Sequence, residues 1–250
     1  MKKFELKTKQ DIALMAIGGE KLSSIKKGLK KAVKVGESAA AIESLAQKLI
    51  KKENAKPSFT MVEGYRWAIC INVNDGLVHG IPSPDVVFKK GDIVSLDVGI
   101  YYKGFHTDTS FSVLIGHDPE KLRFLAAGQQ ALNKAIRSAK VGRKLGDISG
   151  AIERLLIKSG YEPIRALVGH GIGRTLHEDP MIPCYTGYVG EDFKLEEGVV
   201  LAVEVMYAQG SSEVKLDADG WTIRTKDGKM SALFEETVAV THGGPVVLTT

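Results

Sequence analysis

The chain repeats itself. Lys34-Val35-Gly36 recurs as Lys140-Val141-Gly142, at an offset of 106, and Ala41-Ile42-Glu43 recurs as Ala151-Ile152-Glu153, at an offset of 110. Gly91-Asp92-Ile93-Val94-Ser95-Leu96-Asp97 recurs as Gly198-Val199-Val200-Leu201-Ala202-Val203-Glu204, at an offset of 107. One three-residue match is chance, but several in one order at nearly one offset describe a duplicated unit far longer than a solenoid repeat. No Pro/Ser-rich linker separates the copies. Residues 1–250 are therefore expected to pack as one domain, with pseudo-symmetric halves at about 1–116 and 117–250.

Periodicity assigns the elements within each copy. Thr8 and Asp11 form a capping-box pattern ahead of Leu22, Ile25, Leu29 and Ala32, which recur at helical spacing with Lys26, Lys27, Lys30 and Lys31 on other faces. A second helix carries Ile42, Leu45 and Leu49. The other copy opens at Asp118-Pro119, an N-cap with proline in the first turn, and runs through Leu125, Leu132 and Ile136. Its partner carries Ile148, Ala151, Ile152 and Leu155 and stops at Gly160. Strand-like runs follow each pair, at 67–73, 93–102, 110–115, 199–206 and 233–240. The expected class is α+β.

Composition sets limits. At 44% apolar and 26% charged, the chain can bury a full core unaided. Its two cysteines, Cys70 and Cys184, form no C-x-x-C, so neither a disulfide framework nor a zinc finger is expected. The first residues lack the apolar run of a signal peptide, and no window approaches the roughly 18 uncharged apolar residues of a membrane span. A cytoplasmic protein with no membrane partner is expected. Net charge is only +4, yet residues 1–56 hold 14 lysines against six acidic residues. A solvated helix face accounts for this more simply than an RNA-binding surface, because no aromatic residues interleave with the lysines. Weak ribosome association through this basic N-terminal face is the alternative.

The chemistry lies in the repeated strand. Alternation puts Val94, Leu96, Val98 and Ile100 on one face and Asp97 on the other. Alone, Asp97 reads as a polar residue facing water. Glu204 repeats the arrangement among Leu201, Val203 and Val205, and each copy adds a second carboxylate ahead of a strand, Asp108 and Glu235. Two pseudo-symmetric strand pairs facing each other would converge four carboxylates on one cleft. Left unneutralised they repel, and must bind protons or cations. Two divalent ions would balance them. Oxygen ligands with an imidazole suit Mn, Fe, Co or Zn, and paired metals about 3.5–4 Å apart occur in aminopeptidases.

Three histidines stand in suggestive contexts. Gly169-His170-Gly171-Ile172-Gly173 surrounds His170 with glycines that would let the backbone fold tightly around a ligand. His177 follows in His177-Glu178-Asp179-Pro180, and His79 lies in Val78-His79-Gly80-Ile81-Pro82. His117 and His242 read as turn residues, and His106 takes no assignment from its context.

These segments, with Gly104-Phe105-His106-Thr107-Asp108, Asp219-Gly220-Trp221-Thr222 and Phe234-Glu235, together resemble bacterial type I methionine aminopeptidases over nearly the whole chain and in order. The resemblance implies the pita-bread (creatinase/aminopeptidase) fold, with an internal pseudo-two-fold. It implies removal of the initiator methionine from nascent polypeptide N-termini, with a small second residue preferred. It also implies five ligands for two divalent ions, Asp97, Asp108, His170, Glu204 and Glu235, with Asp108 and Glu235 bridging. By the same resemblance Glu204 accepts a proton from water, His177 donates to the oxygen of the tetrahedral intermediate, and His79 contacts the substrate backbone nitrogen. Tyr65, Cys70 and Trp221, with Phe59, Val62 and Leu176, match a methionine side-chain pocket, and Asn74 and Ser231 match a peripheral monovalent-cation site. A monomer is expected.

The chain departs from the family pattern at a few places. Val205 stands where the family usually has proline, Glu236 where it often has histidine or asparagine, and Leu176 and Val62 replace bulkier aromatics. A proline-specific aminopeptidase or dipeptidase is the nearest rival, but generally carries an added N-terminal domain and lacks the Asp219-Gly220-Trp221-Thr222 element. A non-catalytic binding module of the same fold typically loses ligands, whereas all five positions are filled here.

Overall fold

The computed structural model describes residues 5–250. Residues 1–4, which supply two of the lysines in the basic N-terminal count and part of the stretch read for a signal peptide, lie outside the described residues. Four helices form two pairs: α1 (Lys9–Ala32) with α2 (Ala39–Lys52), and α3 (Pro119–Ser138) with α4 (Leu145–Lys158). Three of the four starts are set by N-cap side chains that satisfy otherwise orphaned N–H groups. Thr8 and Asp11 exchange hydrogen bonds at α1, Ser38 accepts from the Ala41 N–H at α2, and Asp118 accepts from the Glu120 and Lys121 N–H groups at α3.

The repeated triplets do repeated work. Gly36 and Gly142 turn the chain ahead of α2 and α4 at φ +86° and +81°, a backbone that only glycine adopts cheaply. Each then donates its N–H to an equivalent carbonyl, Phe88 at 2.9 Å and Leu195 at 2.8 Å. The repeated glutamates also match: Glu43 accepts from the Ala68 and Ile69 N–H groups, and Glu153 from the Thr186 N–H and hydroxyl.

The first copy contributes strands β1 (Lys56–Pro57), β2 (Ile69–Val73), β3 (Gly76–Val78), β4 (Ile93–Tyr102) and β5 (Phe105–Leu114). The second contributes β6 (Glu162–Pro163), β7 (Val168–Gly171), β8 (Glu178–Pro183), β9 (Val200–Ala208), β10 (Val214–Leu216), β11 (Ile223–Thr225), β12 (Ser231–Thr241) and β13 (Gly244–Val247). One sheet runs β1-β4-β5-β12-β9-β7-β8, with β2 on β4, β6 on β9 and β13 on β12, so it continues across the two copies through β5 and β12. A small second sheet has the order β10-β11-β3.

Helices cover one face of the large sheet. Val94, Leu96, Val98 and Ile100 of β4 pack into a core with Leu22, Ile25, Leu29, Ile42 and Ile50. Leu201, Val203 and Val205 of β9 do the same with Phe124, Leu132, Ile148 and Ile152. Strand alternation then sends Asp97 and Glu204 to the opposite face, where a third, smaller cluster lies. Among the described residues no helix is long and apolar enough to cross a membrane.

Three local expectations change. Asp108 lies inside β5, not ahead of it, because the polar start of this strand hides its true length from the apolar pattern, and Glu235 lies within β12, as the run at 233–240 already implied. Lys26 does not share a solvated face with Lys27, Lys30 and Lys31. It pairs with Glu236 at 2.7 Å and donates to the Thr109 hydroxyl at 3.0 Å, whereas the other three are exposed. The third change concerns the glycines around His170, described with the site.

Candidate metal centre

Register decides which polar side chains meet. In the β4–β5 pair Asp97 stands opposite Ser110, and Gly99 opposite Asp108. Ser110 in turn faces Glu235 on β12, and Glu235 faces Glu204 on β9. Asp97, Ser110, Glu235 and Glu204 thus form one rank across four strands. One step along, Thr237 of β12 stands opposite Ala202 of β9, and Ala202 opposite His170 of β7. The Thr237 hydroxyl is bonded to the Asp108 backbone, which ties the two halves together beside Asp108. The two ranks place four carboxylates and one imidazole on one face.

His170 sits on a strand and not in a loop wrapped around a ligand. A Cβ at Gly169 would stand 2.6 Å from the Ala202 carbonyl oxygen, and one at Gly171 2.2 Å from that of Asp179. The flanking glycines therefore allow close strand approach. His170 Nδ1 lies 2.8 Å from the Gly171 carbonyl oxygen, which can only accept, so the proton sits on Nδ1. Nε2 stands 3.6 Å from Glu204 Oε1.

The electrostatics call for cations. Asp108, His170 and Glu235 are buried and offer ligand atoms within 4.8 Å of one another; Asp97 and Glu204 beside them are half-buried. Burial first, then mutual repulsion, holds Asp97, Glu204 and Glu235 well above the usual carboxylate range, and burial raises Asp108 as well. Asp97 Oδ1 and Glu235 Oε1 are buried with no hydrogen-bond partner among the described residues. Orphaned carboxylate oxygens in an oxygen-rich set with one imidazole fit hard or borderline divalent ions. Cys70, opposite Asp97 on β2, is not a thiolate ligand: burial pushes its thiol well up, with Asp97 adding to the shift.

Every expected ligand and pocket residue lines one cavity of about 140 Å³: Asp97, Asp108, His170, Glu204 and Glu235 together with Phe59, Val62, Tyr65, Cys70, Leu176 and Trp221, and with His79 and His177. Val78 completes the lining. Tyr65 packs edge-on to Trp221 at 5.1 Å and donates its hydroxyl to the Ile69 carbonyl at 3.0 Å. Asp219 explains the placing of Trp221, since its carboxylate accepts from the Trp221 and Thr222 N–H groups and from the Thr222 hydroxyl. His79 and His177 are exposed at the rim. His79 adopts φ +58°, and the protein around it lowers its pKa by disfavouring the imidazolium.

A second, open groove of about 640 Å³ shares His79, His170, His177 and Glu204 with this cavity and continues past Leu167, Val168, Met181 and Met206. Asn74 and Ser231 lie outside both linings but together: Ser231 donates its N–H to the Asn74 carbonyl at 2.8 Å and its hydroxyl to the Gly76 carbonyl at 2.9 Å. His106 is the residue whose context concealed its place. It is buried on β5, hydrogen-bonded through Nδ1 to Ser58 at 2.9 Å, and burial lowers its pKa to about 4. Period-2 alternation from Asp108 would have put His106 on the site's face, two residues away.

A cluster of buried carboxylates and an imidazole able to hold a divalent ion, set on one sheet shared by two similar halves, is what this geometry defines. The sequence model of metallopeptidase family M24 matches residues 13–242. Methionine aminopeptidase 1 of Bacillus subtilis (strain 168) is 40% identical over 245 residues, 97% of this chain and 98% of its own. The crystal structure of methionine aminopeptidase from Thermotoga maritima superposes with a TM-score of 0.96 at 38% identity, covering 99% of this chain and all of that one. A Xaa-Pro dipeptidase from Bacillus anthracis shares the fold, with a TM-score of 0.78 at 23% identity, but this chain spans only 62% of it. The chain belongs to the methionine aminopeptidase branch of metallopeptidase family M24 and has its pita-bread fold.

Proposed function

We propose that this chain removes the initiator methionine from nascent polypeptide N-termini, using two divalent ions held by Asp97, Asp108, His170, Glu204 and Glu235. The observation that carries this reading is the carboxylate ranks, with their orphaned oxygens, opening directly into a small aromatic and thiol-lined cavity. When bound, such ions supply Lewis acidity and lower the pKa of water towards neutrality. Glu204, half-buried at the cavity edge, accepts the proton of the attacking water. His177 donates to the developing oxyanion and His79 contacts the substrate backbone nitrogen, both from the rim. Tyr65, Cys70 and Trp221, with Phe59, Val62 and Leu176, hold the methionine side chain, whose thioether packs well against aromatic rings. A cavity of about 140 Å³ beside the carboxylates suits one side chain, which supports exopeptidase action, and the rest of the substrate leaves along the open groove.

The same reading extends to the surroundings. Co, Mn, Fe or Zn suit the donor set, and the carbonyls beside Asn74 and Ser231 offer a peripheral monovalent-cation site. Residues 1–250 act as one catalytic domain, which the sheet continuous across both copies supports, and the protein works as a monomer in the cytoplasm. Weak ribosome association would use the exposed Lys27, Lys30 and Lys31, with Lys26 removed from that set by its ion pair. The decisive test is methionine release by metal-reconstituted protein. Met-Ala and Met-Gly peptides should be cleaved and Met-Lys and Met-Phe should be poor. A preference for proline over alanine in second place would move the chain to the prolidase side of the fold.

A further inference from the structure

We propose that Lys7 is a positioning residue for His177: through a buried ion pair with Glu178, the segment before α1 holds the turn that carries the rim imidazole. Lys7 is only 6% exposed, unusual for a lysine. Its N–H donates to the Gly198 carbonyl at 2.8 Å, and its side chain passes against Gly173. A Cβ at Gly173 would stand 2.1 Å from Lys7 Cε, so this approach needs glycine there. The ammonium ends on Glu178 Oε2. Glu178 Oε1 accepts from the Thr175 N–H at 3.1 Å, and the Thr175 hydroxyl donates to the His177 carbonyl at 3.1 Å. One carboxylate therefore joins the N-terminal segment to the turn around His177.

Further ties reach the same turn. The Arg174 guanidinium lies 3.3 Å from Asp11 and 3.7 Å from Glu5, above the Phe105 ring. The His106 N–H donates to the Gly173 carbonyl at 2.7 Å. A buried ion pair is a poor way to gain stability, because an apolar pair of similar size often does as well. What an apolar pair cannot do is keep a carboxylate oxygen on the Thr175 N–H and so fix the direction of the next residues. His177 has its ring edge-on to His170 at 4.5 Å, where a small swing of the turn would carry it out of line. Lys7 lines neither of the two cavities that hold the expected ligands.

The inference rests on the reading of His177 as an oxyanion donor, and its test separates the two. Lys7→Met should lower kcat about ten- to a hundredfold, the scale of a displaced catalytic group, with KM changed by less than about threefold. Metal stoichiometry by elemental analysis should not change, and hydrogen exchange of amides 174–178 should quicken. Lys7→Met/Glu178→Met, which removes the unpaired charge, should recover the lost Tm but not kcat; a merely structural pair would recover both. In a His177→Ala background Lys7→Met should cost no further kcat. Unchanged exchange at 174–178, an additive loss in that background, or loss of metal would overturn the proposal. A neutral His177→Ala would instead sink the oxyanion reading, and exchange alone would then judge the clamp. If Lys7→Met does not fold, the exposed Arg174→Ala weakens the same turn and should show the same pattern at smaller amplitude.

Discussion

The two halves use one plan and reach different chemistry. In the second half Glu204 and Glu235 stand directly opposite each other on β9 and β12. In the first half Asp97 and Asp108 are offset by one step, each facing a small residue, Ser110 or Gly99. The flanking strands diverge further: β2 brings a protonated thiol, Cys70, beside Asp97, while β7 brings an imidazole, His170, beside Glu204. One half therefore opens onto an apolar pocket and the other completes a donor set. Duplication supplies the paired carboxylates, and loss of symmetry sets an aromatic and thiol lining on one side of the cavity and an imidazole on the other. The helical sides differ too, since the repeated Glu43 is buried on two backbone N–H groups and Glu153 is only half-buried.

The largest effect should come from removing what both halves share. Chelator-treated protein should stay folded but lose all activity, and Co, Mn or Fe should restore it; elemental analysis should approach two metals per chain. The pH dependence has a definite sign. Folded-state pKa values of the four carboxyls lie above their unfolded values, so their contribution is present in acid and is lost as pH rises through the raised values. The Tm of the ion-free protein should fall between about pH 5 and pH 8, and bound metal should flatten that slope. A Tm that rises with pH in stripped protein would contradict the buried cluster.

The next test separates the two histidines of the second half. His177→Ala should retain both metals and lose turnover by about 10²–10³-fold, the cost of one oxyanion donor. His170→Ala should lose affinity for one metal and recover part of its activity at high metal concentration. Metal rescue of His177→Ala, with reduced stoichiometry, would reverse the assignments.

Smaller effects sharpen the contrast between flanking strands. Cys70→Ala should leave metal content intact and raise KM for Met-Ala peptides by a few fold, roughly the 1 kcal/mol scale of one lost packing contact. Loss of metal from Cys70→Ala would make β2 equivalent to β7 and erase the comparison. The smallest concerns the repeated helix glutamates, read by urea denaturation. Glu43→Ala should destabilise by about 1–3 kcal/mol, since two buried N–H groups lose their acceptor, and Glu153→Ala by less than about 1 kcal/mol. Equal losses would show that burial does not distinguish the copies.

Much of this was legible because strand alternation and helix caps are local. Residues 93–102 read as a strand and form β4, the Thr8–Asp11 box caps α1, and the repeated glycine-to-carboxylate spacing places Asp97 and Glu204 on faces turned from the helices. The resemblance then collected the ligand and pocket residues that one cavity unites. What stayed hidden depends on partners far apart in the chain. Lys26 meets Glu236 across 210 residues, and Lys7 meets Glu178 across 171, so a lysine-rich segment looked uniformly solvated when these two of its members are drawn inward by distant partners.

The amino-acid sequence by itself determined that four carboxylates would lie on apolar strands of a duplicated α+β unit, because side-chain direction alternates within a strand whatever its neighbours are. Only the tertiary structure decided that Asp97, Glu235 and Glu204 share a rank, with Asp108 and His170 one step along. Register between β5 and β12 joins segments from opposite halves, and a shift of one residue there would turn one set of ligands into the helix-covered core.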